Sequence, residues 1–286
     1  MAPSVNEILA KHKFGTLDAV VRLGVKGMAR VRAITANLDH PDFDAYADRM
    51  YDLRKFSYEN PSSRDGKIGT PDYDNPTRPE KEELPWTHRD LKHVLDRFKS
   101  KKKDKFKLDI QPTIYGTYYK LNTNKLDPRE PFLKFYLAVN ANIESAAGGF
   151  FENFLKWAHR AENKNVAFNA KFSNLHVPGA HNRFVIYTHR KDFGKIQKFI
   201  TANASYLHPV KFNHPAGFEI IPGASVVISG ELGEGSDYDS FDGSLARHIT
   251  KVYFDSKDKA EFKKKLRESM KTHPALSAHY ACFEHN

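Results

Sequence analysis

Three short segments between residues 133 and 188 carry lysine, arginine and tyrosine at alternating positions, between apolar residues. Strand side chains alternate between the two faces of a sheet, so these polar residues point away from the apolar face. If the three strands pair, one face collects cations and phenols and the strands add no carboxylate to it: Lys134, Tyr136, Lys171, Arg183 and Tyr187. Clustered cations repel one another, lower the pKa of a neighbouring lysine and attract an anion, most simply a phosphate.

The segment from Ser240 to Arg247 predicts a second anion-binding element. A Ser/Gly turn opens a helix there, and the free N–H groups of a helix N-terminus bind phosphate. Arg247, in the first turns of this helix, could hold a phosphate through paired hydrogen bonds. Two alternatives stay open: an ordinary capped helix with a surface arginine, and an ordinary wet face of an antiparallel sheet.

Composition narrows the function classes. The 286 residues carry a net charge of +10, from 45 Lys+Arg and 35 Asp+Glu, which favours an anionic partner. The only cysteine, Cys282, excludes an intrachain disulfide and a multi-cysteine zinc site, and we expect it in a C-terminal tail. No apolar stretch approaches the roughly 18 residues of a membrane helix, and no apolar signal segment opens the chain, so we expect a cytoplasmic protein without a membrane partner.

The chain changes character near residue 100. Residues 1–100 predict a helical N-terminal region with a Pro-rich loop at 57–85, which could bind a peptide or cover a site as a lid. Residues 101–286 alternate strand and helix patterns and predict an α+β domain with a mostly antiparallel sheet and flanking helices. Its helix over 259–270 is expected to be capped by Ser256.

The ordered set of segments resembles the HopA-type family of type III effectors. The resemblance rests on residues 132–140, on Lys171-Phe172, on residues 183–187 and on Ser-Phe-x-Gly…Arg from Ser240 to Arg247, with a tyrosine-rich element at Tyr115 to Tyr119 upstream. It covers residues 110–255. Family members resemble phosphothreonine lyases in fold, and relatives act as the lyases of class V lanthipeptide and thioamitide biosynthesis.

The resemblance implies a carbon–oxygen lyase that removes phosphate from phosphoserine or phosphothreonine in a precursor peptide, leaving dehydroalanine or dehydrobutyrine. It implies Lys171 as the base, Lys134 as the group that steadies the enolate-like oxygen, and Arg183 and Arg247 as phosphate ligands, with Tyr187 and Ser240 beside them. Tyr136 stands where the phosphothreonine lyases have a histidine acid, and a well-oriented phenol could still protonate the leaving phosphate. A separate Ser/Thr kinase would supply the phosphopeptide, and no metal or organic cofactor is needed.

The sequence also leaves two other functions open. A phosphopeptide-binding effector module on the same fold would bind without catalysis, and the tyrosine in place of histidine is what such a module could carry. A nucleic-acid or membrane-surface protein could use the lysine-rich run at 99–107, but the aromatic residues beside that run are few, so no nucleic acid is expected.

Overall fold

The computed structural model gives the chain's secondary structure over most of its length. It describes residues 5–36, 42–55, 58–59, 93–94, 96–97, 107–113, 116–123, 126, 130, 132–139, 146–173, 184–207, 211–212, 217–221, 224–231 and 240–284. The helices are α1 (Val5–Thr35), α2 (Phe43–Lys55), α3 (Ala146–His159), α4 (Phe193–Ala202), α5 (Phe241–Phe254), α6 (Lys259–Met270) and α7 (Pro274–Glu284). The strands are β1 (Tyr58–Glu59), β2 (Lys107–Thr113), β3 (Gly116–Asn122), β4 (Phe132–Leu137), β5 (Phe168–Ser173), β6 (Phe184–Thr188), β7 (Lys211–Phe212), β8 (Gly217–Ile221) and β9 (Ala224–Glu231).

Antiparallel pairing builds the sheet. Within the described ranges, seven strands lie in the order β2-β3-β5-β6-β4-β9-β8, while β1 pairs with β7 in a separate ribbon. Every neighbouring pair in the large sheet is antiparallel. The predicted α+β fold, with its antiparallel sheet, flanking helices and helical N-terminal region, is confirmed. The finer likeness to phosphothreonine lyases stays a prediction.

One face of the sheet packs against α3 and α4. The apolar positions of β4, namely Leu133, Phe135 and Leu137, are fully buried on this face. Helix α3 carries apolar residues three and four apart, which places them on one stripe toward the sheet. Phe150 of this stripe meets Phe184 of β6 edge-on, with ring centroids 5.2 Å apart. This core forms as the alternation of the strands predicts.

The opposite face is covered near β9 by a second apolar cluster from α1, α2, α5, α6 and α7. Val227 of β9 is fully buried in it, and Tyr136 of β4 packs against it. Tyr46 of α2 stacks on Tyr253 of α5 at 6.1 Å, so N-terminal and C-terminal helices share this core. The sheet here is therefore enclosed on both sides, and the ordinary wet face that the sequence left open is not found at β4 and β9.

Two local expectations from the sequence are wrong. The cap of α6 is Asp258, whose Oδ1 accepts the N–H groups of Ala260 and Glu261, each at 2.8 Å. Ser256 instead donates its hydroxyl to the Val252 carbonyl of the preceding helix at 2.6 Å. The expected tail around Cys282 is helix α7.

Most of the Pro-rich loop at 57–85 and of the lysine run at 99–107 lies outside the described residues, as do Tyr115 and Arg183.

Helix α7 crosses the ends of β4 and β9. The thiol of Cys282 lies 3.3 Å from the Glu231 carbonyl oxygen and 3.5 Å from that of Phe132. The N–H of Gly230 donates to Nδ1 of His279 at 3.0 Å. Burial raises the pKa of the Cys282 thiol to about 12. The only cysteine is therefore a packing residue that ties α7 to the sheet.

We expect Cys282 to be inert in the folded protein, because the thiolate is the reactive form and both burial and the raised pKa suppress it. At pH 8, Ellman's reagent should label the native chain slowly and the urea-unfolded chain at once. Rapid labelling of one equivalent in the native protein would contradict this packing.

Gly230 has no room for a side chain. A Cβ atom there would lie 2.5 Å from Cβ of Cys282 and 2.8 Å from the carbonyl oxygen of His279. We expect Gly230→Ala to lower the free energy of unfolding by about 1–3 kcal/mol through this overpacking. Gly15→Ala, in an open position of α1 with nothing within 4 Å, should raise it by about 0.5–1 kcal/mol. Equal effects of the two changes in urea unfolding would refute the close approach of α7.

Candidate functional site

The three strands that carry the predicted site residues lie side by side in the sheet. β5 pairs with β6 and β6 pairs with β4, so the predicted grouping of these strands is confirmed. Lys134 is opposite Tyr187, and Lys171 is opposite Val185. Residues directly opposite one another share a face, so Lys134, Lys171 and Tyr187 lie on one face, named the site face below.

Two rows of residues cross the site face at right angles to the strands. The first row consists of Asn169, Tyr187, Lys134 and Ser229, and the second of Lys171, Val185, Tyr136 and Val227. With strands about 4.8 Å apart, the Cα atoms of Lys171 and Tyr136 are about 10 Å apart, and those of Lys171 and Lys134 about 12 Å. Long side chains at these positions can reach one common ligand.

Lys134 is enclosed rather than exposed. Its side chain is 11% exposed and its ammonium group forms an ion pair with Oε2 of Glu231 on β9. The ammonium nitrogen also lies 5.1 Å from the Tyr187 ring centroid and 5.8 Å from that of Phe132. Rings at these distances attract a cation through their π faces. The expectation of a face without a carboxylate is therefore wrong, because a fourth strand brings Glu231 to Lys134.

Glu231 also joins the strands to the N-terminus of α5. Its Oε1 accepts the N–H of Phe241, the first residue of that helix, at 3.4 Å. Ser240 caps the helix, because its hydroxyl oxygen accepts the N–H of Gly243 at 3.3 Å. The helix N-terminus that the sequence predicted thus begins beside the Lys134 strand.

The strand register brings two of the remaining predicted residues to the site face. Lys171 and Tyr187 are partly buried on the site face. Arg247 is on the second turn of α5, where its exposed guanidinium pairs with Asp44 of α2 at 3.5 Å. Arg183 lies outside the described residues, immediately before β6. The side-chain oxygen of Asn169 is buried and has no hydrogen-bond partner within the described ranges, so the site face holds an acceptor that a ligand N–H could satisfy.

Tyr136 sits in an electrostatically negative corner. Burial, and then the negative charges of Glu231 and Asp242, raise the pKa of Tyr136 well above its ordinary value of about 10. The hydroxyl of Ser229 offsets part of this effect. The phenol is therefore firmly protonated at neutral pH, where it can donate a hydrogen bond but gives up its proton reluctantly.

Sequence reasoning missed Glu231 and Asp242. By themselves, residues 226–228 indicate only a short strand, and the acidic, glycine-rich run from Gly230 to Asp237 is typical of a flexible loop. The signal was present, because Ser229 and Glu231 continue the alternation of Val226 and Ile228 and so share a face of a longer strand. Asp242 is the second residue after the cap Ser240, in the first turn of the helix, where a carboxylate favours the helix N-terminus.

In the described part of the chain, no three histidine, cysteine, aspartate or glutamate side chains come together as a metal site would require. Nor does any helix in those ranges combine the length and apolar character needed to cross a membrane.

Solved structures show where this fold occurs. An effector protein from Pseudomonas syringae pv. tomato strain DC3000 superposes with a TM-score of 0.52 at 10% identity, over 91% of this chain and 98% of that one. The chain shares the fold of this effector. An effector from P. syringae pv. syringae strain 61 gives a TM-score of 0.49 at 9% identity, over 86% of this chain and 92% of that one. No family model and no curated protein matches the chain by sequence.

The buried phenol predicts a loss of stability in alkali. Folded Tyr136 holds its proton more tightly than the unfolded chain, so its contribution is complete below about pH 10 and is lost as the pH rises further. Between about pH 9 and about pH 11, the free energy of unfolding in urea should fall less steeply for Tyr136→Phe than for the natural chain. Cys282 is present in both proteins, so their difference reports on Tyr136. Parallel curves would mean that the phenol is not buried beside these carboxylates.

Proposed function

We propose that this chain is a phosphoserine/phosphothreonine lyase acting on a phosphorylated peptide. The observation that carries the proposal is the strand register, which gathers Lys171, Tyr136, Lys134 and Tyr187 in two adjacent rows of one face. The resemblance to the HopA-type family, drawn from the same residues, supplies the reaction. The fold shared with the P. syringae effector agrees with that resemblance at the level of architecture.

The reaction divides among three groups. The neutral amine of Lys171 takes the Cα proton of the phosphorylated residue, and the electron pair left behind forms the Cα=Cβ double bond. The Cβ–O bond breaks, the phenol of Tyr136 gives its proton to the oxygen of the leaving phosphate, and dehydroalanine or dehydrobutyrine remains. The ammonium of Lys134 steadies the negative charge that develops on the adjacent carbonyl oxygen, as an oxyanion site does.

In this proposal, the two arginines and the N-terminal end of α5 bind the phosphate. Arg183 precedes β6, and Arg247 would exchange its exposed pairing with Asp44 for the substrate phosphate. The N-terminus of α5 at Ser240 adds a favourable dipole. The buried oxygen of Asn169 offers an acceptor for a substrate backbone N–H. A separate Ser/Thr kinase would supply the phosphopeptide, and this chemistry calls for no metal or organic cofactor.

A second candidate function is phosphopeptide binding without elimination. It is favoured by Tyr136, because a phenol whose pKa is raised by burial and by two carboxylates is a poor proton donor to a leaving phosphate. The same phenol remains a good hydrogen-bond donor to a bound phosphate.

The lyase is tested with a synthetic peptide that carries one phosphothreonine, with phosphoserine as a second substrate. We expect loss of phosphoric acid from the peptide by mass spectrometry. Lys171→Ala should slow it by at least about 100-fold, because a general base contributes a factor of this order or more. Lys198→Ala, which removes an exposed lysine from α4, is the matched control and should leave the rate unchanged.

Other outcomes would each point elsewhere. Tight binding of the phosphopeptide with no change in its mass would favour the binding module. Full activity in Lys171→Ala would remove Lys171 from the role of base. Steeply salt-dependent binding to nucleic acid, without phosphopeptide binding, would contradict both candidates.

A further inference from the structure

Glu231 holds two separate elements through one carboxylate. Oε2 pairs with the ammonium of Lys134 on β4, and Oε1 accepts the N–H of Phe241 at the start of α5. These elements are more than 100 residues apart in the chain. The lysine of the site face and the helix that carries Arg247 are thus fixed to the same side chain.

The Lys134–Glu231 ion pair is largely removed from water. The side chain of Lys134 is 11% exposed and that of Glu231 is 16% exposed, while the rings of Phe132 and Tyr187 lie beside the ammonium. Removing one partner of such a pair leaves the other charge enclosed without compensation, which is costly. The ion pair with Glu231 therefore holds the Lys134 ammonium in its enclosed position.

The backbone of Glu231 is itself held in place. Its carbonyl oxygen faces the thiol of Cys282 at 3.3 Å, and the preceding residue, Gly230, donates its N–H to His279 at 3.0 Å. Glu231 ends β9, beside Phe132 in register. The carboxylate thus extends from an anchored strand end and is suited to set the position of a flexible lysine.

From these contacts we infer that Glu231 is a positioning residue of the site, acting through Lys134, and this inference rests on the proposed lyase function. Glu231 does not contact the reacting atoms. It orients the ammonium that stabilises the enolate-like oxygen and holds the N-terminus of α5 at the same point. Its charge balances Lys134, so the net positive charge that attracts phosphate comes from Lys171 and the arginines.

The test compares Glu231→Gln, Glu231→Asp and Lys134→Met with the natural chain on the phosphothreonine peptide. The glutamine keeps the size and an acceptor for Phe241 but loses the charge. We expect it to lower kcat on the order of 100-fold, as a misplaced catalytic group does, and to leave KM nearly unchanged. Glu231→Asp restores the charge and should recover part of kcat. Glu268→Gln, which removes a surface pair with Lys271, is the control and should keep full activity.

A double variant shows whether Glu231 acts through Lys134. In the Lys134→Met background, Glu231→Gln should cause little further loss of kcat, because the group it positions is already gone. The inference would be overturned if the losses of kcat from the two single changes multiply in the double variant, or if Glu231→Gln alone leaves kcat unchanged.

A labelling experiment tests the Lys134–Glu231 ion pair without measuring catalysis. Brief treatment with acetic anhydride and peptide mapping should acetylate Lys134 more slowly than the exposed Lys198. In Glu231→Gln this ratio should rise at least about tenfold, because the side chain that loses its partner can leave the enclosed position. An unchanged ratio contradicts the inference. A natural chain without elimination but with the expected labelling contradicts the lyase function and leaves the ion-pair role of Glu231 standing.

Discussion

The antiparallel pairing of β4 between β6 and β9 is the constraint on which the site depends. Both edges of β4 are hydrogen-bonded, so its residues have fixed partners and fixed faces. Leu133, Phe135 and Leu137 are buried against α3 and α4, and this burial holds the register. A shift of one residue would turn the apolar side chains outward and move Lys134 and Tyr136 into the core. The burial of apolar side chains that stabilises the sheet therefore also fixes the face on which the site residues lie.

The second helical layer decides the electrostatics of that face. Because helices cover the sheet at β4 and β9, Lys134 cannot rely on water to stabilise its charge and requires a counter-charge inside the protein. Glu231 provides it, and the same enclosure raises the pKa of Tyr136. The charge on the site face is therefore uneven. The Lys134–Glu231 ion pair and the neutral phenol of Tyr136 lie on the side near α5, and Lys171 lies on the other side, on β5.

The faces of the strand side chains were predictable from alternation, since Leu133 to Val139, Val166 to Phe172 and Phe184 to Ile186 repeat with period two. The covering of the opposite face was not, because the period of a strand shows which residues share a face and not what packs on it. Glu231 was missed for the same reason: its acidic, glycine-rich surroundings are typical of a loop, and only pairing with β4 keeps it in a strand. Helix α7 was missed because its apolar residues face two different cores, which leaves little amphipathic periodicity in its sequence.

The most direct measurement is a crystal structure of Lys171→Ala bound to a phosphothreonine peptide, a variant chosen so that the substrate stays intact. We expect the Cα atom of the phosphothreonine to lie within about 3.5 Å of the position that the Lys171 amine occupies in the natural chain, with its carbonyl oxygen within about 3 Å of the Lys134 ammonium. A peptide bound elsewhere, or a phosphothreonine residue facing away from β5 and β4, would contradict the placement of the chemistry on this face.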